Sequence, residues 1–299
     1  MIQRIDEIED TRLDDYRNIT DAELLRSRDL FMAEGRMIVR SVLRGGRFRP
    51  RSVLVSSAAL EAMHDLLSDR GGPVRCPVYT APQAIINQIV GFDLHRGCLA
   101  AVERGRCLSL EDLTALAGEG PATMVVLEDV NNHDNVGGVF RNAAAFGAAG
   151  VLLSPGCVDP LYRKSVRVSM GGVLTVPFAR SPQHRWPGDL HALRAAGFTI
   201  LAMTPAPSAV DIRSLGRELP IPARCALVLG AEGAGLSPAA LGSADMLVRI
   251  PILGAVDSLN VATAGAIALH ALGAGVGAAC APGAPVVAVS AAASAAPGR

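Results

Sequence analysis

The hydrophobic positions of this chain follow a regular pattern from residue 122 onward. Short runs of mostly consecutive apolar residues alternate with stretches in which apolar residues recur every three or four positions. The first pattern is typical of strands buried on both faces, and the second of amphipathic helices. We predict strands at 124–130, 151–154, 173–177, 199–203, 226–229 and 247–251. We predict helices from about 136, at 160–170, at 188–196, after Ser237 and Pro238, and at 259–272. The alternation predicts an α/β fold, a parallel sheet with helices on both faces.

The N-terminal third predicts a smaller α/β unit. Apolar runs at 51–55 and 98–102 predict strands, and helical periodicity marks 23–43, 58–68 and 82–90. From about 104 to 121 the pattern weakens, apart from a short capped helix that begins near Leu108. We therefore predict four segments. They are a small unit at 1–105, a linker at 106–120, a larger unit at 121–275, and an Ala-, Pro- and Gly-rich tail at 276–299 that we expect to be mostly disordered.

Composition excludes several classes of protein. The chain has 299 residues, of which 50% are apolar, so it is long and apolar enough to form the cores of two domains. It contains no uninterrupted apolar stretch of the ~18 to 20 residues that a membrane span needs, and its acidic start is unlike a signal peptide. We expect a cytoplasmic protein with no membrane partner. The six cysteines and six histidines are scattered without a metal-binding spacing, so we expect no metal and inert, buried thiols.

A row of arginines in the first unit departs from the neutral net charge of the chain. Arg36, Arg40 and Arg44 recur every four residues and share one face of a predicted helix, with no acid between them. One interpretation is a solvated helix face. The other is a surface that contacts phosphates, and we rank the two nearly level because solvated faces usually interleave acids.

Three glycine-bearing segments, at 135–143, 230–237 and 250–261, each follow a predicted strand. Glycines at the carboxyl ends of parallel strands let the backbone approach a ligand, so the three segments predict one composite site. Neither the dinucleotide fingerprint G-x-G-x-x-G after the first strand nor the phosphate-binding loop G-x-x-x-x-G-K-[ST] occurs. A nucleotide-dependent dehydrogenase is therefore disfavoured.

The side chains within these segments carry the candidate chemistry. We expect Asn135 in a loop and Arg141 one turn into the following helix to converge at the sheet edge and bind a phosphodiester. Glu232 follows an apolar strand and needs a donor partner. Ser258 is the expected N-cap of the last helix, which leaves the amide of Asn260 in the first turn free for the same pocket.

These segments resemble the signature motifs of the SpoU (TrmH-like) family of the SPOUT superfamily, RNA ribose 2′-O-methyltransferases. The family patterns are N-[LIV]-G-x-x-x-R-x-A, G-x-E-x-x-G-[LI]-S and I-P-[ML]-x-G-x-x-x-S-L-N-V, and the chain carries them in this order, with Ile252 at the [ML] position. One departure is Asn132-His133, where the family often has Asp-Pro. The resemblance covers about 121–273, and residues 20–105 are similar to the ribosomal-protein-like RNA-binding unit that many members carry in front.

The resemblance implies a C-terminal trefoil knot that binds S-adenosylmethionine. The residues it implies for cofactor binding are Leu229, Gly230, Ile250, Leu259 and Val261. Family proposals make Arg141 the general base. Because guanidinium keeps its proton far above neutral pH, we expect Arg141 instead to grip the target phosphate, while Asn135, Glu232, Ser258 and Asn260 orient Arg141 and the nucleotide.

The resemblance also implies partners. RNA would be bound by the arginine row, that is by Arg36, Arg40 and Arg44, together with Lys164 and Arg167 of the second unit. Ribosomal RNA is the first choice of substrate, tRNA the second, and DNA is not expected. The family is dimeric through its last helix. Two alternatives stay open: a non-catalytic RNA-binding protein of the same fold, although Arg141, Glu232 and Asn260 are all present, and a small-molecule enzyme, which predicts no affinity for RNA.

Overall fold

The computed structural model describes residues 2–17, 20–45, 47–68, 76–91, 97–254 and 256–273. The tail predicted at 276–299 lies outside these residues. The first part of the chain contributes, in order, β1 (Ile2–Arg4), α1 (Asp21–Ser27), β2 (Leu30–Glu34), α2 (Arg36–Gly45), β3 (Pro50–Val55), α3 (Ser57–Ala62), α4 (His64–Leu67), β4 (Val78–Thr80), α5 (Gln83–Val90) and β5 (Cys98–Glu103). These strands form a sheet in the order β1-β4-β3-β5-β2, in which β5 runs antiparallel to both of its neighbours.

The long helix predicted at 23–43 is wrong, because strand β2 divides it into α1 and α2. Leu30 to Ala33 are buried at every position and pair with β5, so their apolar run belongs to a sheet and not to a helical face. Asp29 and Gly35 flank the strand with positive φ angles of 52° and 91°, which break the helical path on both sides.

The second part of the chain begins with a helix and then alternates strand and helix. Its elements are α6 (Leu110–Leu116), β6 (Ala122–Glu128), α7 (His133–Ala145), β7 (Gly150–Leu153), α8 (Arg163–Val168), α9 (Gly172–Thr175), β8 (Phe178–Arg180), α10 (Gly188–Ala195), β9 (Thr199–Met203), β10 (Val210–Asp211), β11 (Arg224–Gly230), α11 (Pro238–Gly242), β12 (Met246–Arg249) and α12 (Val261–Ala271). The strands form a sheet in the order β10-β12-β9-β11-β6-β7-β8, with every pairing parallel.

Both faces of this sheet are covered, as the apolar strands predicted. Val125 and Leu127 of β6 face a core that includes side chains of α7, α8, α9 and α12. Met124 and Val126 of the same strand face a second core, shared with α6, α10 and α11. Because successive side chains of a strand point to opposite faces, a strand covered on both faces is apolar throughout. The predicted parallel sheet is therefore confirmed.

The strand predicted at 173–177 is wrong. Gly172 to Thr175 form helix α9, and the strand is displaced to Phe178–Arg180. Gly171, at a positive φ of 86°, precedes the helix, and a Cβ on Gly172 would lie 2.7 Å from the carbonyl oxygen of Phe140. The helix therefore exists because it packs closely against α7, a tertiary contact that overrides the strand preference of Val173 and Thr175.

The segment predicted as a linker contributes to the second unit. Ser109 and Asp112 form a reciprocal capping box at the start of α6, and Leu110 and Leu113 are buried in the core that also contains Met124. The two units also touch directly. Asp21 of α1 binds the Nε of Arg163 of α8 at 2.8 Å, and one cluster of buried side chains spans both sheets.

The prediction of inert, buried thiols holds for four of the five cysteines that the structure describes, and Cys280 lies outside the described residues. Cys76, Cys98, Cys157 and Cys225 are buried free thiols, and burial raises the pKa of Cys98 to about 12. Cys107, in contrast, is exposed. Across the described ranges, no group of three or more His, Cys, Asp or Glu side chains is arranged to hold a metal ion.

Candidate active site

A cleft opens at the carboxyl edge of the larger sheet, where the loops after β9, β11 and β12 meet. All five residues that the sequence assigned to a cofactor line it, together with Glu232 and Ser258. The sequence missed the contribution of the loop after β9. The further lining residues are Met203, Thr204, Pro205, Ala231, Gly233, Gly235, Ile252 and Ala264. The cleft therefore combines apolar side chains with backbone groups of glycine-rich loops.

The loop after β11 closes tightly on its own start. The backbone N–H of Gly235 donates to the carbonyl of Ala231 at 3.0 Å. A Cβ added to Gly230 would lie 2.3 Å from the carbonyl carbon of Gly235 and 2.6 Å from the backbone nitrogen of Leu236. Only glycine allows this approach, which makes the backbone itself a wall of the cleft.

Three of the predicted polar side chains meet at the mouth of the cleft. The Nδ2 of Asn260 donates to the Oδ1 of Asn135 and to the Oε1 of Glu232, both at 2.8 Å. Asn135 is buried on α7, whereas Glu232 lies in the exposed loop after β11. Asn260 therefore joins the first segment to the second, and side chains of all three segments meet at one place in the structure.

Asn260 is also the N-cap of α12, the position that the sequence assigned to Ser258. The Oδ1 of Asn260 accepts from the backbone nitrogens of Ala262 at 3.0 Å and Thr263 at 3.2 Å. Since the cap binds the amide oxygen, the amide nitrogen is directed at Asn135 and Glu232. The cap prediction for Ser258 is thus wrong, because the helix begins at Val261, two residues later than expected. Ser258 stays exposed at the cleft.

Arg141 does not join this cluster within the chain. Helix α7 begins at His133 and is capped by Asn132, so Asn135 already lies in its first turn and Arg141 lies well inside it. On a helix of 3.6 residues per turn, a separation of six residues places Arg141 about 120° around the axis from Asn135. Arg141 is exposed, and no described residue forms a hydrogen bond or ion pair with it. The expectation that Arg141 sits near the helix N-terminus beside Asn135 is therefore wrong.

Close packing of α7 against α12 fixes the geometry of the cluster. The Nδ2 of Asn142 donates to the carbonyl of Ala262 at 2.7 Å, and a Cβ on Gly138 would lie 2.8 Å from the Cβ of Ala262. Asn142 lies two turns after Asn135 on the same face of the helix, so it holds α12 where Asn260 meets Asn135. The seven-residue spacing of the two asparagines was the signal that sequence reasoning missed.

The cations that the sequence assigned to RNA are mostly paired. Asp65 of α4 binds the guanidinium of Arg40 through both oxygens at 2.7 Å, and it lies 3.4 Å from Arg44. The row therefore has an acidic partner that is remote in sequence, contrary to the prediction of an acid-free face. Lys164 pairs with Asp134, and Arg167 with Glu34. Arg36 is exposed and has no ion pair among the described residues.

His133, at the departure from the family pattern, packs against an aromatic neighbour. Its ring stacks on that of Tyr162 with the centroids 4.8 Å apart. The backbone carbonyl of His133 accepts from the hydroxyl of Ser165 at 3.2 Å. Contacts to Tyr162, just before α8, and to Ser165 within α8 thus hold the start of α7, in place of the stiffness that a proline would supply.

Known proteins resemble the chain over most of its length. The model of the SpoU rRNA Methylase family matches residues 122–270. An uncharacterized tRNA/rRNA methyltransferase of Mycobacterium bovis is 40% identical over 90% of this chain and 91% of its own length. The 23S rRNA (guanosine-2'-O-)-methyltransferase RlmB of Coxiella burnetii is 33% identical over 59% of this chain and 68% of its own.

Solved structures share the fold. The crystal structure of an AdoMet-bound rRNA methyltransferase from Sinorhizobium meliloti aligns with a TM-score of 0.74 and 26% identity, over 91% of this chain and 97% of the other. Among the residues that the structure describes, no helix is both long and apolar enough to cross a bilayer.

Proposed function

The chain belongs to the SpoU rRNA methylase family, and from this premise we propose that it transfers a methyl group from S-adenosylmethionine to a ribose 2′-hydroxyl of structured RNA. The observation that carries the proposal is the joining of Asn135, Glu232 and Asn260 at the mouth of the apolar cleft. A small-molecule enzyme has less support, since a family model for RNA methylases matches the second unit.

The cleft has the chemistry that S-adenosylmethionine requires. Leu229, Ile250 and Val261 offer apolar surface to an adenine ring, and the glycine loop offers backbone donors and acceptors to its edge. Glu232 adds a carboxylate at the mouth, where a cationic ligand is favoured. When bound, the cofactor supplies a methyl group on a positively charged sulfur. The relative from Sinorhizobium meliloti is described as AdoMet-bound, which also supports this cofactor.

The side chains around the cleft would bind and orient the nucleotide. A guanidinium stays protonated far above neutral pH, so we assign Arg141 the task of gripping the target phosphate and stabilising the developing negative charge on the 2′-oxygen. Asn260 donates to Glu232 Oε1, and no described residue donates to Glu232 Oε2, which can accept from a donor of the nucleotide. Ser258, which also lines the cleft, offers its hydroxyl to the nucleotide.

Ribosomal RNA is the proposed substrate, with tRNA as the second candidate. The relative from Coxiella burnetii methylates 23S rRNA at guanosine 2′-O by its name, whereas the longer match is named only a tRNA/rRNA methyltransferase. Mapping 2′-O-methyl positions in total RNA from cells with and without the protein would test this. Loss of one ribosomal RNA position supports the proposal, loss of a tRNA position favours the second candidate, and an unchanged map contradicts both.

We further propose that the protein is cytoplasmic and acts as a homodimer, with a trefoil knot at β11, β12 and α12. Thr263, Ile267 and His270 leave an exposed stripe along α12, beside α7. Such a stripe suits helix packing between two copies. Light scattering at micromolar concentration tests the assembly, and a monomeric mass would contradict it.

Replacing Asn260 tests the cluster itself. In Asn260→Ser and Asn260→Asp an oxygen can still cap α12, but the amide NH2 group that donates to both Asn135 and Glu232 is lost. We expect the methylation rate to fall roughly a hundredfold in both variants, because a misplaced site loses orientation. The Asp variant should be the slower, since it sets a second carboxylate beside Glu232. Thermal unfolding serves as the control and should change little. If Asn260→Ser methylates at the wild-type rate, the amide group of Asn260 has no role in the mechanism.

The salt dependence of RNA binding tests the arginine row. Arg40 is held by Asp65, so we expect Arg36 and Arg44 to be the members that contact phosphates. Changing both to Gln should weaken RNA binding and flatten the slope of log K against log salt by about 1 to 2. The exposed Arg213 and Arg217, changed together to Gln, form the control. If the slope of log K against log salt is the same in the two double variants, the arginine row is a solvated helix face and not an RNA contact.

A further inference from the structure

Glu128, at the carboxyl end of β6, is a buried carboxylate that the proposed mechanism does not use. Its side chain is directed to the face of the sheet opposite the Asn135 cluster, and the residue is 3% exposed. Its Oε2 accepts from the backbone nitrogen of Ser237 at 2.8 Å. Its Oε1 accepts from the hydroxyl of Ser237 at 2.8 Å and from the indole nitrogen of Trp186 at 2.9 Å. Three donors from two loops therefore converge on one carboxylate.

The position of Glu128 relates it to the cofactor loop. Glu128 is the register partner of Gly230, so the two residues occupy the same rung of the sheet. The loop leaves the sheet at Gly230, lines the cleft, and returns at Ser237, where α11 begins. The backbone of Glu128 thus borders the start of the loop, and its side chain binds the end. Both ends of the loop that lines the cleft are therefore held by Glu128.

We infer that Glu128 is a positioning residue for the cofactor cleft, which holds the loop between Gly230 and Ser237 in its binding conformation. The inference rests on the proposed function for the identity of the ligand. Glu128 does not line the cleft and acts only through the loop. The loop also carries Glu232. By holding the loop, Glu128 therefore also helps to place Glu232 where it accepts the hydrogen bond from Asn260.

The chemistry of the anchor requires a glutamate. An ionised carboxylate is an acceptor at both oxygens, and each of its oxygens here faces a donor. Gln has the same shape but replaces one oxygen with an NH2 group. In either orientation, this group faces the backbone N–H of Ser237 or the indole N–H of Trp186, and a donor without an acceptor in a buried site is costly. Asp keeps the charge but is shorter by one methylene.

The molecule contains its own reporter of this contact. Trp186 is the single tryptophan of the chain, and its indole N–H binds Glu128 directly. Its emission therefore reports whether the carboxylate is in place, in the protein without ligand. We expect Glu128→Gln to shift the emission maximum of the free protein.

The test compares two matched pairs of variants. Glu128→Gln is paired with Glu111→Gln, an exposed glutamate that binds Arg185 next to Trp186. Ser237→Ala is paired with Ser109→Ala, a helix N-cap of the same type that is remote from the cleft. Affinity for S-adenosylhomocysteine is measured by calorimetry on the full chain. We expect Glu128→Gln to bind roughly tenfold or more weakly and Ser237→Ala several-fold more weakly, with both controls within about twofold of wild type.

The outcomes separate this inference from the proposed function. A folded Glu128→Gln protein that binds within twofold of wild type overturns the inference. If that variant does not fold, a Ser237→Ala protein that binds no more weakly than Ser109→Ala overturns it. If the wild-type protein does not bind S-adenosylhomocysteine, the proposed cofactor is wrong, and hydrogen exchange then decides the inference. Faster exchange at amides 235–237 in the ligand-free Ser237→Ala protein than in Ser109→Ala supports the anchor, and equal exchange overturns it.

Discussion

Replacing Arg141 with Ala is expected to lower the methylation rate by about a hundred- to a thousandfold, while affinity for S-adenosylmethionine stays near that of the wild type. The size of the effect follows from the loss of a charged donor that stabilises negative charge formed during the reaction. The cofactor should still bind because Arg141 is not among the residues that line the cleft. Folding should also be preserved, since the side chain is exposed and forms no ion pair within the described residues.

Two further variants sharpen this prediction. Arg141→Lys keeps the charge but not the planar fork that binds two phosphate oxygens, so we expect it to recover only part of the rate. Arg26→Ala is the matched control, because Arg26 is likewise exposed on a helix and unpaired within the described residues. Methylation by Arg141→Ala at the wild-type rate would exclude Arg141 from the mechanism. Loss of cofactor binding in this variant would assign the residue to the cofactor instead.

The accuracy of the sequence predictions depended on whether the deciding contacts were local. Strands such as 199–203 were located correctly because burial on both faces leaves an apolar run that needs no knowledge of the partner strand. The run at 30–33 was assigned to a helix, since only its pairing with β5 distinguishes the two interpretations. Helix α9 was assigned to a strand for the same reason, because its packing against Phe140 is not visible in its own residues.

The same distinction explains the site. Glu232 and Asn260 were identified from local signals, a carboxylate just after an apolar strand and an amide at the start of a helix, and their segments also match family motifs. Their mutual hydrogen bond is seen only in the structure. Asp65 was missed as the partner of Arg40 because 25 residues separate them. Glu128 was missed because a single acidic residue after an apolar strand is common, and only the structure brings Ser237 and Trp186 to it.

Replacing Gly230 with Ala is expected to abolish measurable cofactor binding, or to weaken it at least about a hundredfold. The added Cβ would lie 2.3 Å from the carbonyl carbon of Gly235, 2.5 Å from its oxygen and 2.6 Å from the backbone nitrogen of Leu236. All three atoms belong to the backbone, so no side-chain rotation can relieve the overlap. The loop must move as a whole, and it would carry Glu232 away from Asn260.

Two other glycines calibrate this effect. Gly265 of α12 also faces the core, but its added Cβ would lie 3.0 Å from the Cδ1 of Leu229 and 4.0 Å from the Cγ2 of Val139, and the end of a flexible leucine side chain can shift. Gly242 of α11 has no atom within 4 Å of an added Cβ. We therefore expect binding of S-adenosylhomocysteine to fall most in Gly230→Ala, modestly in Gly265→Ala and not at all in Gly242→Ala. Equal affinities across the three variants would mean that the loop after β11 does not form the cofactor wall. The graded order, in contrast, would tie binding to this one backbone contact.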